Sequence, residues 1–123
     1  MKEAKHVCVL DEDVFWRDTL ARCFQERGIR ASLIETEDEL WGLLSSDPFN
    51  VAIVEPRMGD DSIGHIIQAL CLRSIPVIVC TGAFYPMQIS SFINQSPSAI
   101  YLKGNVSSCA ITDCTLRLLD GVV

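Results

Sequence analysis

The stretch Val51 to Met58, V-A-I-V-E-P-R-M, constrains the fold of this chain more than any other. A run that is apolar on both faces suits a central parallel strand covered on both sides. Pro56 has no N–H to give to a sheet ladder, so the strand must stop at Glu55. Open α/β sheets bind their ligands at the carboxyl ends of the strands. Glu55 is therefore the first candidate functional residue, and the rest of the chain can be arranged around it.

Taken in order, His6 to Leu10 (H-V-C-V-L) reads as a first strand that ends in Asp11-Glu12-Asp13. A helix follows, with Val14, Leu20, Ala21 and Phe24 at helical spacing and Gly28 as its stop. Ile29 to Ile34 gives a second strand. Thr36-Glu37-Asp38-Glu39 is a capping box, in which Thr36 caps the helix and Glu39 reaches back. Leu40, Trp41, Leu43 and Leu44 form the apolar stripe of that helix, and Ser45, Ser46, Asp47 and Pro48 break it. The opening strand comes next, then a loop to Asp61 with Gly59 as its flexible point. Ser62 is a candidate cap for a helix carrying Ile63, Ile66, Ile67, Leu70 and Leu72. Pro76 to Cys80 is a fourth strand running into Thr81-Gly82. Pro86 can open a short helix at its first turn. Ser98 to Leu102 is a fifth strand, ended by Lys103-Gly104, and Ser107 or Ser108 caps a last helix through Leu119. Five strands alternating with five helices imply right-handed crossovers and a parallel sheet with helices on both faces, the doubly wound α/β class.

The length of 123 residues fits one domain, 1–123, with a single well-buried core. Hydrophobic content of 49% and a mean hydropathy of +0.27 describe a folded globular chain. The net charge of −6, with no Lys/Arg stripe, argues against direct binding of nucleic acid. No apolar run approaches a membrane span, and M-K-E-A-K-H lacks the apolar core of a signal peptide, so the expected compartment is the cytoplasm. The six cysteines show no C-x-x-C and no neighbouring His. They are expected to be small buried hydrophobes in a reducing environment.

Just past the strand ends stand Asp11 and Glu12, then Glu55, Thr81 and Lys103. In a doubly wound sheet these ends converge on one edge. Carboxylates crowded there repel one another, and a cation must offset them. Oxygen ligands of this kind suit Mg²⁺, and Lys103 supplies a fixed positive charge. Capping of the first helix by one of the acids is expected too, but it does not account for two more acids and a Lys at the same edge.

This pattern resembles the receiver domain of two-component response regulators over essentially the whole chain. The resemblance is carried by Asp11-Glu12, Arg17 one turn into the first helix, the Glu55-Pro56-Arg57-Met58 turn, Thr81-Gly82 and Lys103. It implies the flavodoxin-like strand order 2-1-3-4-5. It also implies an acidic pair that holds Mg²⁺ together with the backbone carbonyl of Arg57. A phosphoacceptor stands after the third strand, and Thr81 and Lys103 grip the phosphate. The expected partners are proteins, a histidine kinase or a downstream effector. The chain departs from that family's pattern at several positions. Glu55 stands where the phosphoacceptor is Asp, and Glu12 where Asp is usual. Gly59 and Gly104 each replace a usual Pro. Ile100 occupies the aromatic switch position, and alternation points Tyr101 to the other face. Glu is one methylene longer than Asp, about 1.5 Å, which misplaces a nucleophile that needs in-line approach. The same reach lets Glu55 touch Lys103 or Thr81, as an imperfect stand-in for a phosphoryl group.

Three functions compete on these grounds. The first is a non-enzymatic signalling receiver, independent of phosphorylation, that works through protein contacts. The second is a receiver phosphorylated at Glu55, or at Asp60 or Asp61. The third, a flavodoxin-like domain binding a small ligand, lacks the Ser-, Thr- or Gly-rich phosphate loop that a flavin needs after the first strand. Mg²⁺ binding is expected to be weak, because Arg57 or Lys103 can neutralise the acids. The region Pro86 to Leu119 holds only Lys103, Asp113 and Arg117 as charged residues. With Phe84, Tyr85, Met87, Ile89, Phe92 and Ile93 in or beside it, this region is the expected contact surface. His65, Trp16 and Trp41 are read as surface or packing residues.

Overall fold

Three apolar runs too uniform to lie on a half-exposed sheet make the centre of the fold. In the computed structural model, which describes residues 5–55, 62–81, 99–102 and 107–120, they are β1 (His6–Leu10), β3 (Val51–Val54) and β4 (Val77–Thr81). Every residue of the three is buried. With β2 (Arg30–Ile34) and β5 (Ala99–Leu102) they form one parallel sheet in the order β2-β1-β3-β4-β5. The register pairs Leu10 with Ile34 on one side and Val54 on the other, Val54 with Val79, and Thr81 with Leu102. This is the α/β architecture and strand order that the sequence led us to expect. β2 is an edge strand, and its residues are mostly half-exposed.

Alternation along the strands sorts the core into two layers. Cys8, Leu10, Ala52, Val54, Val77 and Val79 face α2 (Glu37–Ser46) and α3 (Ser62–Leu72), meeting Leu40, Ile66, Ile67 and Leu70. Val7, Val9, Val51, Ile53, Ile78 and Cys80 face α1 (Val14–Glu26) and α4 (Ser108–Leu119), meeting Leu20, Phe24, Ile111 and Leu119. Full burial of a side chain such as Leu20 or Phe24 contributes about 1.5–3 kcal/mol.

The helix ends follow their local chemistry. The Asp13 carboxylate accepts from the Trp16 N–H at 3.2 Å and caps α1. Gly28, at φ +70, closes that helix: its N–H meets the Gln25 carbonyl at 3.0 Å, and the Ile29 N–H meets Phe24 at 2.9 Å. α3 ends in the same paired pattern, with Ser74 at φ 59 in place of glycine. Thr36 caps α2 as expected. The Glu39 carboxylate meets the Thr36 hydroxyl at 3.1 Å rather than the Thr36 N–H, so the box closes through side chains. Ser107, not Ser108, caps α4.

The amino end of β1 is pinned by His6, which is 1% exposed. Its Nδ1 lies 3.0 Å from the Pro48 carbonyl and its Nε2 2.7 Å from the Ser32 hydroxyl. A carbonyl only accepts, so Nδ1 carries the proton. Beside it Arg30 holds Asp47 through both guanidinium Nη atoms.

Some expectations shift. Val14 and Leu72, read as members of apolar stripes, are 57% and 86% exposed, because each lies at a helix end beyond the sheet's cover. Cys8 and Cys80 are buried thiols, Cys23 and Cys114 are partly covered, and Cys71 and Cys109 are exposed. The exposed pair corrects the expectation that all six are buried. The short helix expected from Pro86 lies outside the described residues.

Candidate functional site: the carboxyl edge of the central strands

Two backbone hydrogen bonds bring the acids together. The Asp11 N–H donates to the Ile34 carbonyl at 3.1 Å, and the Glu55 N–H donates to the Leu10 carbonyl at 3.0 Å. Each extends a strand ladder by one residue, so Asp11 and Glu55 stand side by side at the ends of β1 and β3. Thr81 closes the adjacent β4. The register that pairs Val54 with Val79 sets Glu55 opposite Cys80, one residue short of Thr81.

The four residues at this edge differ in access. Asp11 is 4% exposed and Thr81 2%, whereas Glu55 is half-buried and Glu12 exposed. The Asp11 Oδ1 accepts from the Asp13 N–H at 2.8 Å, which shapes the turn that starts α1. Arg17, 11% exposed at its side chain, reaches back from α1 to Glu35 at 3.0 Å. Its buried Nε finds no hydrogen-bond partner among the described residues. Sequence reasoning listed Arg17 by resemblance alone and missed Glu35. The placement of Glu35 immediately after β2 was the available signal.

Of the residues singled out from sequence, the structure thus gathers Asp11, Glu12, Glu55 and Thr81 on adjacent strand ends. Arg57, Lys103, Asp60, Asp61, Gly59 and Gly104 lie outside the described residues. Ile100 sits in β5, paired with Val79. Among the described residues, no three of His, Cys, Asp and Glu come together in a group able to hold a metal ion. Mg²⁺ keeps most of its waters and needs only one or two carboxylates, so the Asp11 and Glu55 neighbours still suit it. Among the described residues no helix is long and apolar enough to cross a membrane.

No family model matches the chain. The chain is 27% identical over 79 residues to the regulatory protein VirG of Rhizobium rhizogenes, a match covering 63% of this chain and 33% of that protein. It thus spans about a third of the curated relative it matches. The structure superposes with a TM-score of 0.83 on a CheY-like response regulator receiver domain protein of Methanospirillum hungatei, at 19% identity over 97% of this chain and 96% of that one. It is also similar to a response regulator of Burkholderia pseudomallei, with a TM-score of 0.77 and 21% identity over 95% and 70% of the two chains. That structure contains a phosphorylated aspartic acid, a calcium ion and citrate. At these identities the likeness establishes the fold.

Proposed function

We propose that this chain, which has the receiver fold of response regulators, is a single signalling domain that works without phosphorylation. It acts through protein contacts, with a histidine kinase or a downstream effector as partner, and is not an enzyme. The reading assigns it to the cytoplasm.

One observation carries the proposal: the residue beside Asp11 at the end of β3 is Glu55, half-buried and held by its N–H on Leu10. The backbone is fixed there, so the extra methylene moves the carboxylate about 1.5 Å outward. A misplacement on the order of 1 Å can cost about a hundredfold in rate. The same length favours contacts of Glu55 with Thr81 or Lys103 in place of a phosphoryl group, holding one conformational state. Mg²⁺, if bound, would sit on Asp11 with Glu12 or Glu55 and the Arg57 carbonyl. It would neutralise the edge, and this chain's part is to present the oxygens.

The test is incubation of the native protein and Glu55→Asp with acetyl phosphate and Mg²⁺, followed by intact mass. We expect a phosphoryl adduct on Glu55→Asp alone. Stoichiometric labelling of Glu55 in the native chain would end the proposal and favour the phosphorylated receiver.

A further inference from the structure

α1 and α4 lie side by side over one face of the sheet, where Leu20, Phe24, Ile111 and Leu119 share a core layer. Each follows a strand of the parallel sheet, so the two helices run in the same direction. Two side-chain contacts join them. The Cys23 thiol donates to the Ser108 hydroxyl at 3.4 Å. Arg27 Nη2 meets Asp113 Oδ1 at 3.1 Å. On α1, Cys23 stands four residues before Arg27, one turn back on the same face. On α4, Cys109 stands four residues before Asp113, again one turn back on the same face. Moving the Arg27–Asp113 contact one turn toward the amino ends of both helices therefore sets Cys23 against Cys109. The contact of Cys23 with Ser108, the chain neighbour of Cys109, places the Cys23 sulfur at the same level of α4. Cys109 is exposed and Cys23 partly covered, so solvent reaches this seam from the Cys109 side.

We propose that Cys23 and Cys109 form a redox-responsive pair, which hydrogen peroxide converts to a disulfide tying α1 to α4. Cys109, the exposed thiol, meets the oxidant: its thiolate attacks one peroxide oxygen, the O–O bond breaks, and a sulfenic acid and one water result. Cys23 resolves it: its thiolate attacks the Cys109 sulfur, the S–O bond breaks, and the oxygen leaves as a second water. Two thiols and one peroxide thus give one disulfide and two waters, and the two sulfurs lose the two electrons that the peroxide gains. The other cysteines do not fit the seam. Cys8 and Cys80 are buried in strands, and Cys71 is on α3, across the sheet. Cys114 stands five residues beyond Cys109, about 140° round the helix from it. Where thiol reductants are abundant such a bond is transient, the usual form of a redox-sensing disulfide. The bond closes a loop over most of the chain, so it restricts the unfolded state strongly. This inference does not depend on the role of Glu55.

Treatment of the full chain with hydrogen peroxide at micromolar protein, then alkylation of the remaining thiols and non-reducing peptide mapping, tests it. We expect one linked pair of peptides, carrying Cys23 and Cys109, within a single chain whose mass falls by two hydrogens. Dithiothreitol should restore the starting mass. Forming the link should raise the melting temperature by roughly 10 °C. Cys23→Ser and Cys109→Ser should each lose both the link and the shift, whereas Cys71→Ser keeps both. Melting of the reduced variants close to the reduced native chain will show that the fold is kept. The mapping of the native chain decides the matter even where a variant fails to fold. A Cys23 that stays open to alkylation while Cys109 is oxidised would overturn the proposal. So would a link of Cys23 to Cys114, links between chains only, or a Cys23–Cys109 link that does not raise the melting temperature.

Discussion

At the scale of single residues, the two ends of the sheet use charge differently. At the carboxyl edge Asp11 is buried with one oxygen spent on the Asp13 N–H. That hydrogen bond competes with a cation for the carboxylate, and burial makes bringing a hydrated ion to it costly. A Mg²⁺ titration followed by Trp16 fluorescence should therefore saturate only in the millimolar range; saturation at micromolar metal would contradict that expectation. At the amino end, the Arg30 guanidinium bonded to Asp47 holds that carboxyl below its ordinary 3.8, with partial desolvation opposing the shift. A depressed carboxyl contributes stability above the unfolded value, and the contribution is lost as pH falls through the lower, folded value. Asp47→Asn should accordingly flatten the acid limb of the stability curve below about pH 4. Urea denaturation between acid and neutral pH measures it, and an unchanged acid limb would show the pair to be inert. Burial alone pushes the Cys8 thiol up to about 12, so this cysteine will be slow toward thiol reagents in the folded protein.

At the scale of elements, α1 and α3 terminate in the same hydrogen-bond pattern on different residues. Gly28 adopts φ +70 with nothing near its Cβ position, whereas Ser74 adopts φ 59 with a side chain. The left-handed region costs an L-residue about 1 kcal/mol, and glycine nothing. Gly28→Ala should destabilise by about 1 kcal/mol, and Ser74→Gly should stabilise by about 0.5 kcal/mol after the greater entropy of an unfolded glycine is offset. Denaturant midpoints of the two variants moving in opposite directions would bear this out; a loss of stability in Ser74→Gly would refute it. The Gly28 stop was legible because glycine marks such an end. The Ser74 stop was not, because serine there yields to the geometry that Leu70 and Ile75 impose.

For the whole molecule, stability rests on a sheet covered on both faces. Ile53, on the central strand and 2% exposed, touches the layer under α1 and α4. Ile53→Ala should cost about 2–5 kcal/mol through lost transfer energy and a cavity. Phe15, 73% exposed, should cost no more than about 0.5 kcal/mol when replaced by Ala. Thermal and urea unfolding of the two variants will show whether that ranking holds.

What the sequence determined by itself was the class of fold and the edge on which to look. Strands that are apolar throughout, as in Val51 to Val54, can only be central, and proline after Glu55 fixes where such a strand ends. Those are local, steric facts. The tertiary structure decided which outward positions a helix leaves uncovered. Val14 and Leu72 share the apolar chemistry of Leu20 and Leu70, yet the sheet does not extend far enough to cover them. It also decided which carboxylates become neighbours. Asp11 stands beside Glu55, and Arg17 meets Glu35, only because β1 lies between β2 and β3. Strand order is a long-range property, and no spacing along the chain states it.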